Sequence, residues 1–217
     1  IMPTITSDCL GNCFVAWVKD ENINGHYNSD VYCKSFDVNN KQLCEEIKVN
    51  DDDGIPVAEQ FSPDIAVSQN GNFIICWHDF RNNSEIEIYA QRFLNDGSFI
   101  GNNFKVSNKK SYNYSSPKIS ITPNENFVIV WIQNPLSQNP NDFPKSQIVG
   151  QFYNSKGEVI DSNIILSEFP LNYQNDIGVI SANGLENYII SWRTADDSTN
   201  NIKIYFQLFS NSGIAQS

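Results

Sequence analysis

Only three of the 217 residues are arginine, Arg81, Arg92 and Arg193, and lysine and arginine together number 14 against 25 aspartates and glutamates. A chain of net charge −11 is poorly equipped to replace the counterions of nucleic acid or of an anionic lipid surface, so neither is an expected partner. No apolar run comes near the roughly 20 residues that span a bilayer, and no basic-then-apolar leader opens the chain, so membrane insertion is not expected. Nowhere do apolar residues recur at helical spacing. The two histidines, His26 and His78, do not stand at ligand spacing from the cysteines, and no phosphate loop or nucleotide fingerprint occurs, so no metal or cofactor is expected. At this length a chain buries roughly 70% of its unfolded surface and needs neither metal nor disulfide to hold a core.

What the sequence does have is a repeat, and its four tryptophans set the register. Trp17, Trp77, Trp131 and Trp192 each end an apolar run: Cys13-Phe14-Val15-Ala16, Phe73-Ile74-Ile75-Cys76, Phe127-Val128-Ile129-Val130 and Tyr188-Ile189-Ile190-Ser191. A proline stands 14 residues ahead in the first three copies (Pro3, Pro63, Pro117), and Asn175 takes that place in the fourth, with three extra residues around Gly184. Downstream, Val31, Ile88, Ile148 and Ile204 each lie nine residues before Asn40, Gly97, Gly157 and Gly213. Those residue types tolerate a positive φ, so this column predicts the tight turn of a β-hairpin. Seven residues further on, Ile47, Phe104 and Ile164 open a last apolar segment.

Each unit is therefore four short strands, a to d, and the chain is all-β. Strand b is apolar at nearly every position and must be covered on both faces, whereas strand c mixes in polar residues. Inner strands sandwiched between neighbouring sheets are the arrangement of β-propeller blades. The blades are expected at about 3–50, 63–108, 117–168 and 175–217, with the four tryptophans in the repeat core. In the fourth, the seven-residue spacing would place strand d near position 220, beyond Ser217, so that blade is expected to lack its strand d and the whole to be part of a larger propeller.

The second copy carries the most specific pattern: Pro63-x-Ile65-x-Val67, Asn70-Gly71-Asn72-Phe73-Ile74-Ile75-x-Trp77-x-Asp79-x-Arg81, then Ile88-Tyr89-Ala90-Gln91-Arg92-Phe93 to Gly97, Gly101 and Phe104-Lys105-Val106. It resembles the tandem β-propeller repeat of large secreted and cell-surface proteins, mostly bacterial. The resemblance implies an extracellular propeller that serves as a scaffold or adhesion module, and it brings no family active site onto any residue.

Four of the five cysteines, Cys9, Cys13, Cys33 and Cys44, fall in the first blade, where three pairings are open. Cys9 with Cys13 and Cys33 with Cys44 are preferred because both are local across predicted hairpins, and they imply an oxidising compartment; the alternative is that Cys13 and Cys33 are small buried apolar residues. Cys76 is expected to be a buried free thiol. Asn82-Asn83-Ser84 and Asn113-Tyr114-Ser115 are N-glycosylation sequons in predicted loops, although a chain with 30 asparagines produces such triplets by chance. The run Asp51-Asp52-Asp53-Gly54 suggests calcium, but an EF-hand-like loop with its glycine at Gly54 would start at Val49, which offers no side-chain oxygen.

For function the expectation is a non-catalytic extracellular module, secreted or on the cell surface, acting in adhesion or protein interaction. Length varies between strands b and c, where 14, 11, 17 and 12 residues separate the tryptophan from the strand-c apolar position. Such loops project from one face of a rigid frame, the usual place for binding residues. They carry His26 and Tyr27 in the first blade and Phe143 in the third, and a protein or glycan partner is expected there. Three alternatives stand beside this one: a carbohydrate-binding propeller lectin, a sialidase-like glycoside hydrolase, and an assembly subunit with an open sheet edge. Against the hydrolase, the tryptophans lie six residues beyond Gly11 or Gly71 rather than in the turn, and the three arginines are not placed to cluster. Paired carboxylates for glycoside hydrolysis remain open among the 25 acids.

Overall fold

A computed structural model describes residues 3–23, 26–51, 58–81, 86–108, 112–135, 146–161, 163–166, 174–182, 186–196 and 201–216. Every regular element among them is a strand, and the sixteen strands form four antiparallel sheets of four, each a meander. The first sheet runs β1 (Thr4–Ser7), β2 (Cys13–Ile23), β3 (His26–Phe36), β4 (Gln42–Lys48). The second is β5 (Gln60–Val67), β6 (Phe73–Asp79), β7 (Glu87–Phe93), β8 (Phe99–Lys105), and the third β9 (Tyr112–Ile121), β10 (Phe127–Pro135), β11 (Gln147–Tyr153), β12 (Ile164–Ile165). The fourth is β13 (Gln174–Ala182), β14 (Asn187–Asp196), β15 (Asn201–Ser210), β16 (Ala215–Gln216). Four antiparallel sheets of four strands are the all-β arrangement expected from the repeat. They divide into two compact units, Ile1–Ser107 and Asn108–Ser217, of two sheets each.

The turn column holds in every blade: Asn40, Gly97, Gly157 and Gly213 have φ of 63°, 87°, 83° and 79°. Each donates its N–H to the carbonyl three residues back, Asp37, Leu94, Asn154 and Ser210 respectively, which closes the strand c to d hairpin. At Gly97 the choice of glycine is also steric. A Cβ there would stand 2.6 Å from Ile47 Cδ1 and 2.8 Å from Cys44 Cβ of the preceding sheet, so the turn packs flat against its neighbour. Strand a carries a second repeated irregularity, with Ser62 and Ser116 at φ 52° and 54° and the β5–β6 and β9–β10 registers shifting across them. Pro63 and Pro117 follow, and a residue without an N–H is tolerated where the ladder is interrupted. In the fourth blade Ile177 occupies the proline position, since Gly178 pairs with Ser191 just as Asp64 pairs with Cys76, and Asn175 does not.

The fourth blade has its strand d. β16 begins two residues after Gly213 and pairs with β15, as β8 begins two residues after Gly97. In β4 and β8 the apolar position seven residues past the turn, Ile47 and Phe104, lies in the far half of strand d and not at its start, which is why the spacing alone put the last strand too late. A repeated glutamine fastens the c–d edge where the ladder is irregular. Gln91 Nε2 donates to the carbonyls of Arg92 and Gly101, Gln151 Nε2 to those of Phe152 and Asp161, and Gln207 Nε2 to those of Leu208 and Gln216.

The core lies between sheets. In the first unit Phe14, Ala16, Val31 and Cys33 pack on Phe73, Ile75, Trp77 and Phe93, with the Phe14 and Phe73 rings 5.2 Å apart. In the second, Val128, Val130, Ile132 and Ile148 pack on Tyr188 and Ile190, with Trp192 partly buried at the margin. All seven residues of β6 are buried. Trp77 and Trp131 are fully buried, but Trp17 and Trp192 are only half-buried, so two of the four expected core tryptophans sit at its edge.

His78, at the end of β6, is 4% exposed, lies edge-on to Phe61 at 4.8 Å, and has no hydrogen-bond partner for either ring nitrogen among the described residues. Burial pulls its pKa from 6.5 down to about 4. The unfolded chain therefore takes up a proton below pH 6.5 that the folded chain refuses until about pH 4, so this contribution is full above pH 6.5 and is lost as pH falls through that window. The loss should reach on the order of 3 kcal/mol. Urea midpoints measured from pH 7 to pH 4 should fall accordingly, and His78→Leu should flatten that part of the profile; an identical slope in the variant would contradict the assignment.

Candidate functional site

In a meander, strands b and d run toward the edge from which strands c and a depart. The b–c connections and the links between blades therefore share one edge of each sheet. In the first unit that edge gathers polar residues far beyond what the repeat requires. The motif Trp77-x-Asp79-x-Arg81 has no counterpart in the other blades, where the same positions read Trp17-x-Lys19-x-Glu21, Trp131-x-Gln133-x-Pro135 and Trp192-x-Thr194-x-Asp196. A departure confined to one copy is where a repeated frame acquires a specific task.

Asp79 is fully buried, and its carboxylate is completely engaged. Oδ1 accepts the Arg81 N–H at 2.8 Å and Arg81 Nε at 2.9 Å, while Oδ2 accepts Arg81 Nη2 at 2.8 Å and the Trp77 indole Nε1 at 2.9 Å. The guanidinium lies over the Tyr89 ring, 4.0 Å from its centroid, and its Nη1 reaches Asp51 Oδ1 at 2.7 Å. Asp51 comes from the link between the first two blades, so this one arginine joins strand b of the second sheet to the chain that enters it. Burial works against the guanidinium charge, and the bonds and charges of Asp79 and then Asp51 more than offset it, pushing the Arg81 pKa still higher. Asn103 completes the arrangement: its Oδ1 accepts the Asp51 N–H at 2.9 Å, and its Nδ2 donates to Val49 O at 3.0 Å and Gln91 Oε1 at 2.8 Å.

A second buried group lies on the same edge. Asp30 Oδ1 accepts from Asn50 Nδ2 at 2.8 Å and pairs with Lys48 Nζ at 3.0 Å, and its Oδ2 accepts from Asn28 Nδ2 at 3.2 Å. Glu87 pairs with Lys105. Each of these carboxylates has a cation of its own, as buried charge demands. Asp51 differs from Asp30 and Asp79, because its side chain is 46% exposed while one oxygen is held by Arg81. It is the carboxylate of the Arg81 network that is both positioned by the protein and open to an approaching molecule.

The residues singled out from sequence are distributed otherwise. None of the five cysteines is in a disulfide. The expected Cys33–Cys44 bridge fails on register, because bulges between β3 and β4 set Ser35 opposite Cys44 and Cys33 opposite Ile47. Ser35 Oγ donates to Cys44 Sγ at 3.1 Å, and burial, then the nearness of Cys44, raises the Cys33 pKa well above its usual value. The Cys9–Cys13 bridge is replaced by separate contacts, Cys9 Sγ toward Gln69 O at 3.8 Å and Cys13 Sγ toward Gly11 O at 3.9 Å. Cys76 is buried, as expected. His26 and Tyr27 are not in a loop but in β3, paired with Ile23 and Asn22; only residues 24 and 25, an Asn-Gly dipeptide, separate β2 from β3. Asn113 is exposed on β9 and opposite Asn134, not in a loop. Asn82, Phe143, Asp52 and Asp53 lie outside the described residues. No group of three or more His, Cys, Asp or Glu side chains among the described residues is arranged to hold a metal ion, and no helix there is long and apolar enough to cross a membrane.

No protein-family model and no curated protein matches this sequence. Solved structures do match its fold. A Hadza microbial sialidase aligns over 97% of this chain and 44% of its own, with a TM-score of 0.63 and 11% identity. A thermostable family-43 glycoside hydrolase aligns over 99% and 71%, with a TM-score of 0.58 and 11% identity. An ulvan lyase aligns over 99% and 54%, with a TM-score of 0.59 and 10% identity. The chain thus spans less than half of the sialidase and about seven-tenths of the family-43 enzyme. At such identities the likeness establishes the propeller fold. It also corrects the expectation of a non-catalytic adhesion module, since these propellers are hydrolases and a lyase of carbohydrates, which favours the glycosidase alternative.

The Arg81 network separates a structural acid from an accessible one. Asp79→Asn should leave a buried guanidinium short of its main partner and cost about 3–5 kcal/mol. Asp51→Asn removes a half-exposed partner and should cost about 1 kcal/mol or less. Chemical denaturation of the two variants checks this; equal losses would contradict it.

Proposed function

We propose that this chain belongs to a carbohydrate-active enzyme, a glycoside hydrolase built on a β-propeller, and that the edge carrying Asp51, Asp79 and Arg81 faces its glycan. What carries this proposal is the Trp77–Asp79–Arg81–Asp51 network, present in one blade of four and placed at the end of strand β6, against the link from the first blade. Support comes from the fold: propellers of this shape include a sialidase, a family-43 glycoside hydrolase and an arabinanase of Penicillium chrysogenum solved with arabinobiose.

The chemistry follows from the geometry. Glycoside hydrolysis uses two carboxyl groups, one ionised as base or nucleophile and one that delivers a proton to the leaving oxygen. The bond from Arg81 Nη1 to Oδ1 fixes the orientation of Asp51, whose side chain stays 46% exposed. Asp51 is thus suited to accept a sugar hydroxyl or to activate water, with Asp79 as the positioning residue that holds Arg81. With Asp51 in that role, the reaction requires a second carboxyl group as the acid. Secretion accords with a glycan substrate outside the cell and is part of the same proposal.

Aryl glycosides of arabinofuranose and sialic acid, together with arabinan, serve as substrates. Hydrolysis of at least one of them is expected, with kcat lowered roughly 10²-fold or more by Asp51→Asn in a protein that still folds. Absence of turnover and of binding across that panel, or an unchanged rate in Asp51→Asn, would overturn the proposal.

A further inference from the structure

Inside each of the two units the neighbouring blades pack through the same pair of faces. In each, the tryptophan-bearing face of the later blade packs on the alternate face of the earlier one: Ile75 and Trp77 against Phe14, Ala16 and Val31, and Ile190 and Trp192 against Val128, Val130 and Ile148. The repeat columns therefore state which positions ought to be covered. Val31, Ile88 and Ile148 are each 0% exposed, but Ile204 in the same column is 76% exposed. Two residues on, Cys33 and Ala90 are 1% and 0% exposed, whereas Phe206 is 77% exposed. Ile189 follows suit at 38%, against 1%, 3% and 0% for Phe14, Ile74 and Val128. The alternate face of the fourth blade is an apolar blade-packing surface without its cover.

The first blade shows the complementary deficit. Ile65 and Ile119 are 6% and 5% exposed, but Ile5 in their column is 68% exposed, and Trp17 is half-buried where Trp77 and Trp131 are fully covered. Ile5 pairs with Val15, as Ile65 pairs with Ile75, so Ile5, Val15 and Trp17 share one face. This chain therefore carries both halves of an interface that forms inside each of its units, one half on its first sheet and the other on its last.

We propose that a second copy of this chain covers the Ile204–Phe206 face with its own Ile5–Trp17 face, in a head-to-tail contact. Continuity with the two internal interfaces argues for this occupant, since the face it supplies is of the kind that already packs there. A sheet of four strands at about 4.8 Å spacing and about 23 Å of strand presents roughly 440 Å² in projection, so the contact buries on the order of 1,000 Å² in all. That is the lower end of specific interfaces, and association should depend on concentration in the micromolar range. Because the two faces differ, the contact is heterologous and can close a ring or extend a chain of copies.

Sedimentation velocity of the 217-residue chain from about 1 to about 300 μM tests this. Wild type should shift to larger species with concentration. Phe206→Glu combined with Ile204→Glu should not, nor should Ile5→Glu, and circular dichroism should be unchanged in each because the substituted residues are exposed. An equimolar mixture of the two variants should recover a single heterodimer, because each retains the face that the other lacks. A wild type that stays monomeric throughout, or an Ile5→Glu chain that still self-associates through matching Ile204–Phe206 faces, would overturn the proposal.

Discussion

The fold depends on covering strand b on both faces, as it does in the second and third blades. β6, with all seven residues buried, and β10, buried over its first seven described positions, are inner strands of that kind. A fully buried aromatic or branched aliphatic side chain contributes roughly 1.5–3 kcal/mol, and β6 alone places Phe73, Ile74, Ile75 and Trp77 out of water. Everything else is arranged around that burial. The tight turn at Gly97 lets one sheet lie close on another, the glutamines fasten the outer edge, and the polar groups are confined to the ends of strands. Where the cover is missing, at Trp17 and at Ile204, the same sequence pattern yields an exposed surface.

That pattern was legible from sequence because it is local and repeated. The column of Asn40, Gly97, Gly157 and Gly213 reported its positive φ directly, and the tryptophan register located strand b in each blade. Three features were not legible, for separate physical reasons. Bulges in the first blade shift the pairing of β3 with β4, and no spacing rule counts an extra residue, so the Cys33–Cys44 pairing inferred from sequence does not occur. The degree of burial of Trp17 and Trp192 depends on what lies against their faces, and a column of identical residues cannot register that. His26 and Tyr27 fell in strand β3 because β2 and β3 pair out to Ile23 and His26; the dipeptide Asn24-Gly25 was the sequence signal for so short a connection.

The candidate site was half visible. Trp77, Asp79 and Arg81 stood out as a motif, but as part of a repeat, when their significance is that the other three blades lack it. That Arg81 would reach back 30 residues to Asp51 is a tertiary fact. On the proposed reading the acidic balance that argued against nucleic acid takes on a positive sense, since sugar hydroxyls and glycosidic oxygens are partners that carboxylates handle. A rigid frame with one buried acid for position and one half-exposed acid for contact suits that chemistry better than adhesion does.

Backbone hydrogen exchange on dilute, monomeric chain tests most directly the claim that each blade is stabilised by cover on its two faces. The amides of β6 and β10 should exchange only through the highest-energy openings, while those of β15, whose Ile204–Phe206 face is bare, should exchange through lower-energy local openings despite equally complete ladder bonding to β14. Equal protection of β15 and β6 would contradict the account.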